Sequence, residues 1–199
     1  MKTLFIATSN PGKIKMFKEL LEGEDLSLKF INDFDINFES PEENWKTTRE
    51  NALIKAKYYQ SIVWIPVLSD DAGFEIEELW GEPGIMARRW WGTLPDNVSD
   101  EDWLNFYQNK VAHINADLLN GSFPFTRCLY KSENECFYQD DKIKFYLTKE
   151  PRRPYIAGWP ISSVRLLLDW RHELDLDRND PTLINDAKKE WLIRLLKNL

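Results

Sequence analysis

Residues 2–21, KTLFIATSNPGKIKMFKELL, change from a strand pattern to a helix pattern across one polar turn. Lys2–Ala7 reads as a buried strand. Beyond the turn, Ile14, Phe17, Leu20 and Leu21 recur at helical spacing, with Lys13, Lys15 and Lys18 off that face. A buried strand running straight into an amphipathic helix points to an α/β architecture. The rest of the chain agrees. Leu26, Leu28 and Phe30 alternate as in a strand. Thr47–Ser61 reads as a helix, with Thr47 and Glu50 spaced as a capping box. In the apolar run Ile62–Ser69, Pro66 restricts the ordered strand to the residues after it, or to a sheet edge. Ser99 opens the helix SDEDWLNFYQNKVAHI. Phe125–Lys131 and Cys136–Thr148 form an antiparallel pair around a turn at Ser132–Glu135. Asp180 and Pro181 supply the N-cap and first-turn proline of a last helix, with Trp191, Leu192, Leu195 and Leu196 on its apolar face. The expected fold is α/β, a mixed twisted sheet flanked by helices.

Composition narrows the function. The chain has 199 residues, 43% of them hydrophobic and 14% aromatic, enough for one domain or two small lobes sharing a core. Its net charge of −7 carries no basic run, so duplex nucleic acid is not an expected partner. No apolar run approaches the roughly 18 residues of a membrane span. Lys2 leads into an apolar run too short for a signal peptide, so a cytoplasmic location is expected. Cys128 and Cys136 flank the hairpin turn; a disulfide is conceivable there, and free thiols are the expectation.

Three stretches carry chemistry. TSNPGK (8–13) joins strand to helix. In one reading Asn10 caps the helix, Pro11 takes its first position and Lys13 is solvated. In the other, the helix start holds an anion, Gly12 lets backbone approach it, and Thr8, Ser9, Asn10 and Lys13 bind it. In SPEENWKTTRENALIKAK (40–57), Glu42, Glu43 and Glu50 are oxygen ligands of the kind that hold Mg²⁺, or Glu50 only completes its capping box. LSDDAGFEIEELWGEPG (68–84) ends an apolar strand in two adjacent carboxylates, Asp70 and Asp71. Such a pair raises a pKa or recruits a cation, unless a turn holds the two for another reason.

Together these stretches resemble the Ham1/inosine triphosphatase family of nucleoside triphosphate pyrophosphatases. The family pattern is a T-x-N-x-x-K loop, an ENAxxKA helix, and a DDSG strand end followed by G-x-PG. Here the same order reads TSNPGK, ENALIKA and SDDAG…GEPG. The resemblance implies a single domain over residues 1–199. Its two lobes, about 1–95 with the C-terminal helix and 96–165, would enclose a central cleft, in a homodimer. It implies Mg²⁺-dependent hydrolysis of a nucleoside triphosphate to the monophosphate and pyrophosphate. Thr8, Ser9, Asn10, Pro11, Gly12, Lys13 and Lys55 would hold the phosphates. Asp71 would accept the proton of the attacking water and bind metal with Glu43, or Glu42, and with help from Glu50. Ala72 stands where the family commonly has serine, keeping the backbone N–H for substrate.

The C-terminal third departs from the pattern. The family's base-recognition loop GFGYDPIF is matched by IAGWPISS (156–163), which keeps Gly158 and an aromatic, Trp159, but places Ala157 and Pro160 where the family has Phe and Asp. The family's later lysine and His–Arg pair fall at Asp180 and at Asn185–Asp186. Arg171–His172 lies too early to replace them, and Lys188 and Lys189 could do so only by a register change. Two readings result: an active pyrophosphatase with altered base choice, or a nucleotide-binding protein that no longer turns over.

Overall fold

Strand β1 (Lys2–Ile6) lies between β2 (Leu26–Phe30) and β3 (Val67–Ala72) and runs parallel to both. These elements come from a computed structural model that describes residues 1–34, 39, 41–42, 46–95, 97–176 and 186–199. Helix α1 (Pro11–Leu20) connects β1 to β2, and α2 (Thr48–Val63) leads into β3. The α2 N-terminus is where the capping pattern placed it: Thr47 Oγ1 accepts the Glu50 N–H at 3.1 Å. β3 begins immediately after Pro66, which has no N–H to give a ladder.

The order of strands continues through β6 (Leu119–Ser132), antiparallel to β3. β6 starts six residues before the expected Phe125. Asn120, Gly121 and Ser122 look like turn residues, but Gly121 is required by packing. A Cβ there would stand 2.3 Å from a ring carbon of Phe145. β4 (Phe74–Ile76) pairs with β6 and with β5 (Pro83–Gly84), while β7 (Glu135–Leu147) pairs with β6 and with β8 (Arg165–Leu166). β4, β5 and β8 are too short to show a period in sequence. Helix α3 (Asp100–Val111) is capped by Ser99, and α4 (Asp186–Leu196) closes the chain. The fold is a mixed α/β sheet flanked by helices, as expected.

Two compact units result. One holds Met1–Ala72, Phe125–Asp141 and the last helix; the other holds Gly73–Pro124 and the segment beginning at Lys142. The boundary falls at Ala72–Gly73 rather than near residue 95, and β6 and β7 each run through both units. The first unit has two apolar layers. Leu4, Ile6, Phe17, Leu68, Leu129 and Leu192 form the layer under α1 and α4. Phe5, Ala52, Ala56, Val67 and Cys128 form the layer under α2. Of the apolar face expected on α4, Leu192 and Leu195 are buried, whereas Trp191 is exposed. Asp180 and Pro181 lie outside the described residues. The second unit buries Phe74, Trp90, Trp103, Tyr107 and Phe145 together. Both cysteines are free thiols, with their sulfurs 3.6 Å apart, and burial pushes the Cys128 thiol pKa up.

Candidate active site

Parallel pairing brings the ends of β1 and β3 to one edge of the first unit. The Ala7 N–H donates to the Leu68 carbonyl at 2.9 Å, so residues 8–10 leave the sheet beside Asp70 and Asp71. In α/β sheets this is the edge where ligands bind, outside the carboxyl ends of the strands.

Strand alternation separates the two aspartates. Asp70 shares the face of Leu68, toward α1. Asp71 shares the face of Val67 and Ser69, toward α2. Each meets its own lysine. Lys13 Nζ donates to Asp70 Oδ1, and Lys55 Nζ donates to Asp71 Oδ1 at 2.7 Å. Asn51, buried one turn before Lys55 on α2, donates from Nδ2 to Asp71 Oδ2 at 3.3 Å. Of the expectation that the adjacent pair raises a pKa or recruits a cation, the raised pKa is therefore corrected for Asp70. Burial opposes its charge, but Lys13 and Arg127 outweigh burial and hold the carboxyl below the ordinary range.

The turn TSNPGK is capped from within. Asn10 Oδ1 accepts the N–H groups of Gly12 at 2.8 Å and Lys13 at 3.2 Å, and Pro11 opens the helix. Thr8 Oγ1 accepts the Asn10 N–H at 3.2 Å, and Ser9 is exposed. An anion at this helix start must displace the Asn10 side chain. Lys13 is not a solvated cation, because its side chain is only 33% exposed and ion-paired with Asp70.

Mg²⁺ typically takes one or two carboxylates together with substrate phosphates and water. Among the described residues, no three carboxylate, histidine or cysteine side chains gather into a metal cage. Asp71 supplies one carboxylate at the sheet edge, which fits an ion held largely by substrate oxygens. Glu43 lies outside the described residues, and Glu42 is exposed. Glu50 is exposed on α2 and its carboxylate accepts from the Thr47 hydroxyl at 3.0 Å, so it serves the helix cap. Ala72 ends β3 opposite Phe125.

In the second unit, Gly158 has a φ of +80° and donates its N–H to Asp100 Oδ2 at 2.6 Å. Asp100 also accepts from Arg88 Nη1 at 2.7 Å. Trp159 is half-buried against the apolar core, with the Arg165 guanidinium 5.8 Å from its ring centroid. Pro160 is buried at the start of a short 3₁₀ helix. Arg171 pairs with Asp169 at 2.7 Å. His172 is buried, its Nε2 3.2 Å from the Ser163 carbonyl and its Nδ1 accepting the Leu174 N–H at 3.2 Å. Asp180 and Asn185 lie outside the described residues.

Three residues at these places escaped sequence reasoning. Asn51 sits inside the ENALIKA stretch without an assigned role. Asp100 reads as an ordinary first-turn acid. Arg127 is the charged residue in the run FPFTRCLY, and a lone charge inside an apolar strand is a signal of a buried ion pair.

The sequence pattern of the Ham1 family matches residues 4–159. A dITP/XTP pyrophosphatase of Dictyoglomus thermophilum is 37% identical over 152 residues, 76% of this chain and 72% of that protein. One of Thermus thermophilus is 40% identical over 147 residues, covering 74% and 68%. One of Bacillus subtilis is 29% identical over 191 residues, covering 96% and 90%. A HAM1 protein from Coxiella burnetii superposes with a TM-score of 0.82 over all of both chains, at 22% identity, a likeness of fold.

Proposed function

The chain belongs to the Ham1 family, and on that premise we propose that it hydrolyses nucleoside triphosphates to the monophosphate and pyrophosphate with Mg²⁺. The observation that carries this reading is the placement of Asp71, Lys55 and Asn51 beside Lys13 at the carboxyl ends of parallel strands. Lys13 and Lys55 supply positive charge for the polyphosphate, and Thr8 and Ser9 supply hydroxyls. Asp71 takes the proton of the attacking water, with Asn51 orienting its carboxylate. Asp71 and an acidic residue of 42–43 would hold Mg²⁺, which would supply charge neutralisation at the phosphates. Glu50 closes the helix cap and would assist the metal from there.

Base choice is altered. Ala157 and Pro160 replace the family's Phe and Asp, and Gly158 with Trp159 remains to contact the base. The family resemblance also supports a homodimer, which light scattering reads directly. No described helix is long and apolar enough to cross a membrane.

The deciding experiment is pyrophosphate release from a panel of nucleoside triphosphates with and without Mg²⁺. Metal-dependent release supports the reading. Tight nucleotide binding with no release from any substrate would instead establish a degenerate binding protein of the same fold.

A further inference from the structure

Asp70 is shared by two cations on unequal terms. Lys13 holds Oδ1 in a close ion pair. Arg127 stands opposite Asp70 in the β3–β6 register, its Nε 3.9 Å from Oδ2. The Arg127 side chain is 3% exposed, and its Nε has no hydrogen-bond partner. The rest of the guanidinium is anchored. Nη1 reaches Gln139 Oε1 at 3.4 Å, and the group lies 5.0 Å from the Phe125 ring centroid and 5.8 Å from that of Phe17. A buried donor left unpaired is costly, and so is a buried carboxylate stripped of its cation.

We propose that Arg127 is a positioning residue that takes over Asp70 when Lys13 leaves it for a bound polyphosphate. Lys13 is the mobile partner, on a flexible stem at the start of α1. Arg127 is fixed by its aromatic neighbours, and a shift of about 1 Å turns its 3.9 Å approach into a hydrogen bond. The hand-over satisfies the orphan Nε and keeps Asp70 compensated, so releasing Lys13 costs little. This rests on the triphosphate reading above.

The test is titration calorimetry of the full chain with inorganic tripolyphosphate and Mg²⁺, with thermal unfolding of each variant alongside. Arg127→Met should weaken binding about tenfold or more, because Asp70 then has no guanidinium to take the place of Lys13. Adding Asp70→Asn to that variant should bring affinity back to within about threefold of the wild type, because Lys13 is free again. A folded Arg127→Met protein with wild-type affinity overturns the proposal. So does a double variant as weak as Arg127→Met, which would mark a purely structural role. If Arg127→Met does not fold, Asp70→Asn alone decides. It should bind tripolyphosphate at least as tightly as the wild type, and weaker binding overturns the hand-over. A wild-type protein that binds no tripolyphosphate overturns the functional reading itself.

Discussion

Asp70 and Asp71 are neighbours in the chain and yet belong to different ion pairs, Asp70 with Lys13 on the α1 side of the sheet and Asp71 with Lys55 on the α2 side. The strand's two-residue period separates them, and the two helices each supply the lysine. Adjacent acids thus divide between two lysines supplied by different helices.

Asp71→Asn should leave the protein folded and lower turnover by about 10²–10⁴-fold, the usual loss for a general base. Asn keeps the shape and loses the charge that meets Lys55. Pyrophosphate release measured beside thermal unfolding checks this, and a folded variant with near-wild-type turnover would remove Asp71 from its role.

Lys13→Ala should separate binding from stability. Affinity for a non-hydrolysable triphosphate should fall about 10- to 100-fold, the worth of a charge-assisted contact. Stability should fall by less than about 1 kcal/mol, because Arg127 takes over the buried Asp70 when its nearest cation is removed. Urea unfolding reads the second effect. A loss of about 3 kcal/mol would show that Arg127 does not compensate Asp70.

Asp100 gives a pH dependence. Burial opposes its ionisation, the Gly158 N–H and Arg88 favour it, and the net effect holds its carboxyl below the ordinary range. A folded value below the unfolded one, about 3.9, means the ionised group stabilises the protein fully above about pH 4. That contribution is lost as pH falls through the lowered folded value. Asp100→Asn should therefore be less stable than the wild type near about pH 6, with the gap closing under acid. Denaturant midpoints across that range measure it; a gap constant with pH contradicts the assignment.

Trp80 has a φ of +57° and is 99% exposed. A non-glycine residue in this left-handed region costs about 1–2 kcal/mol, and the exposed indole loses no burial when removed. Glycine returns part of that as unfolded-chain entropy. Trp80→Gly should stabilise by about 0.5–1 kcal/mol, seen as a raised Tm. A lowered Tm would mean the indole has a partner in the working protein.

Preference for ITP and XTP over ATP, GTP and CTP should be weak. Among the described residues of the second unit, Ala157 and Pro160 offer no side-chain donor to a 6-oxo group, and Arg171 is bound to Asp169. Stacking on Trp159 does not select among bases. Values of kcat/KM for the five nucleotides decide it. A preference for ITP of about a hundredfold, roughly 2.7 kcal/mol, would assign the missing contacts to Lys188, Lys189 or a released Arg171.

Sequence alone marked the longer elements, while β4, β5 and β8 are too short to carry a period. Periodicity marked β1, α1 and α2, and Thr47 and Ser99 marked the starts of α2 and α3, because such signals act over a few neighbouring residues. Asp71, Lys55 and Lys13 stand out in sequence through the motifs that resemble the Ham1 family. Only the tertiary structure decided which lysine meets which aspartate, because that depends on which face of β3 each side chain takes. Glu50 reads in sequence as a ligand or as the end of a capping box, and the structure shows its carboxylate accepting from the Thr47 hydroxyl at the cap. Arg127 lies 57 residues after Asp70, and only the β3–β6 register makes them opposite. Such pairings are set by long-range strand register and burial, which no local window of the chain contains.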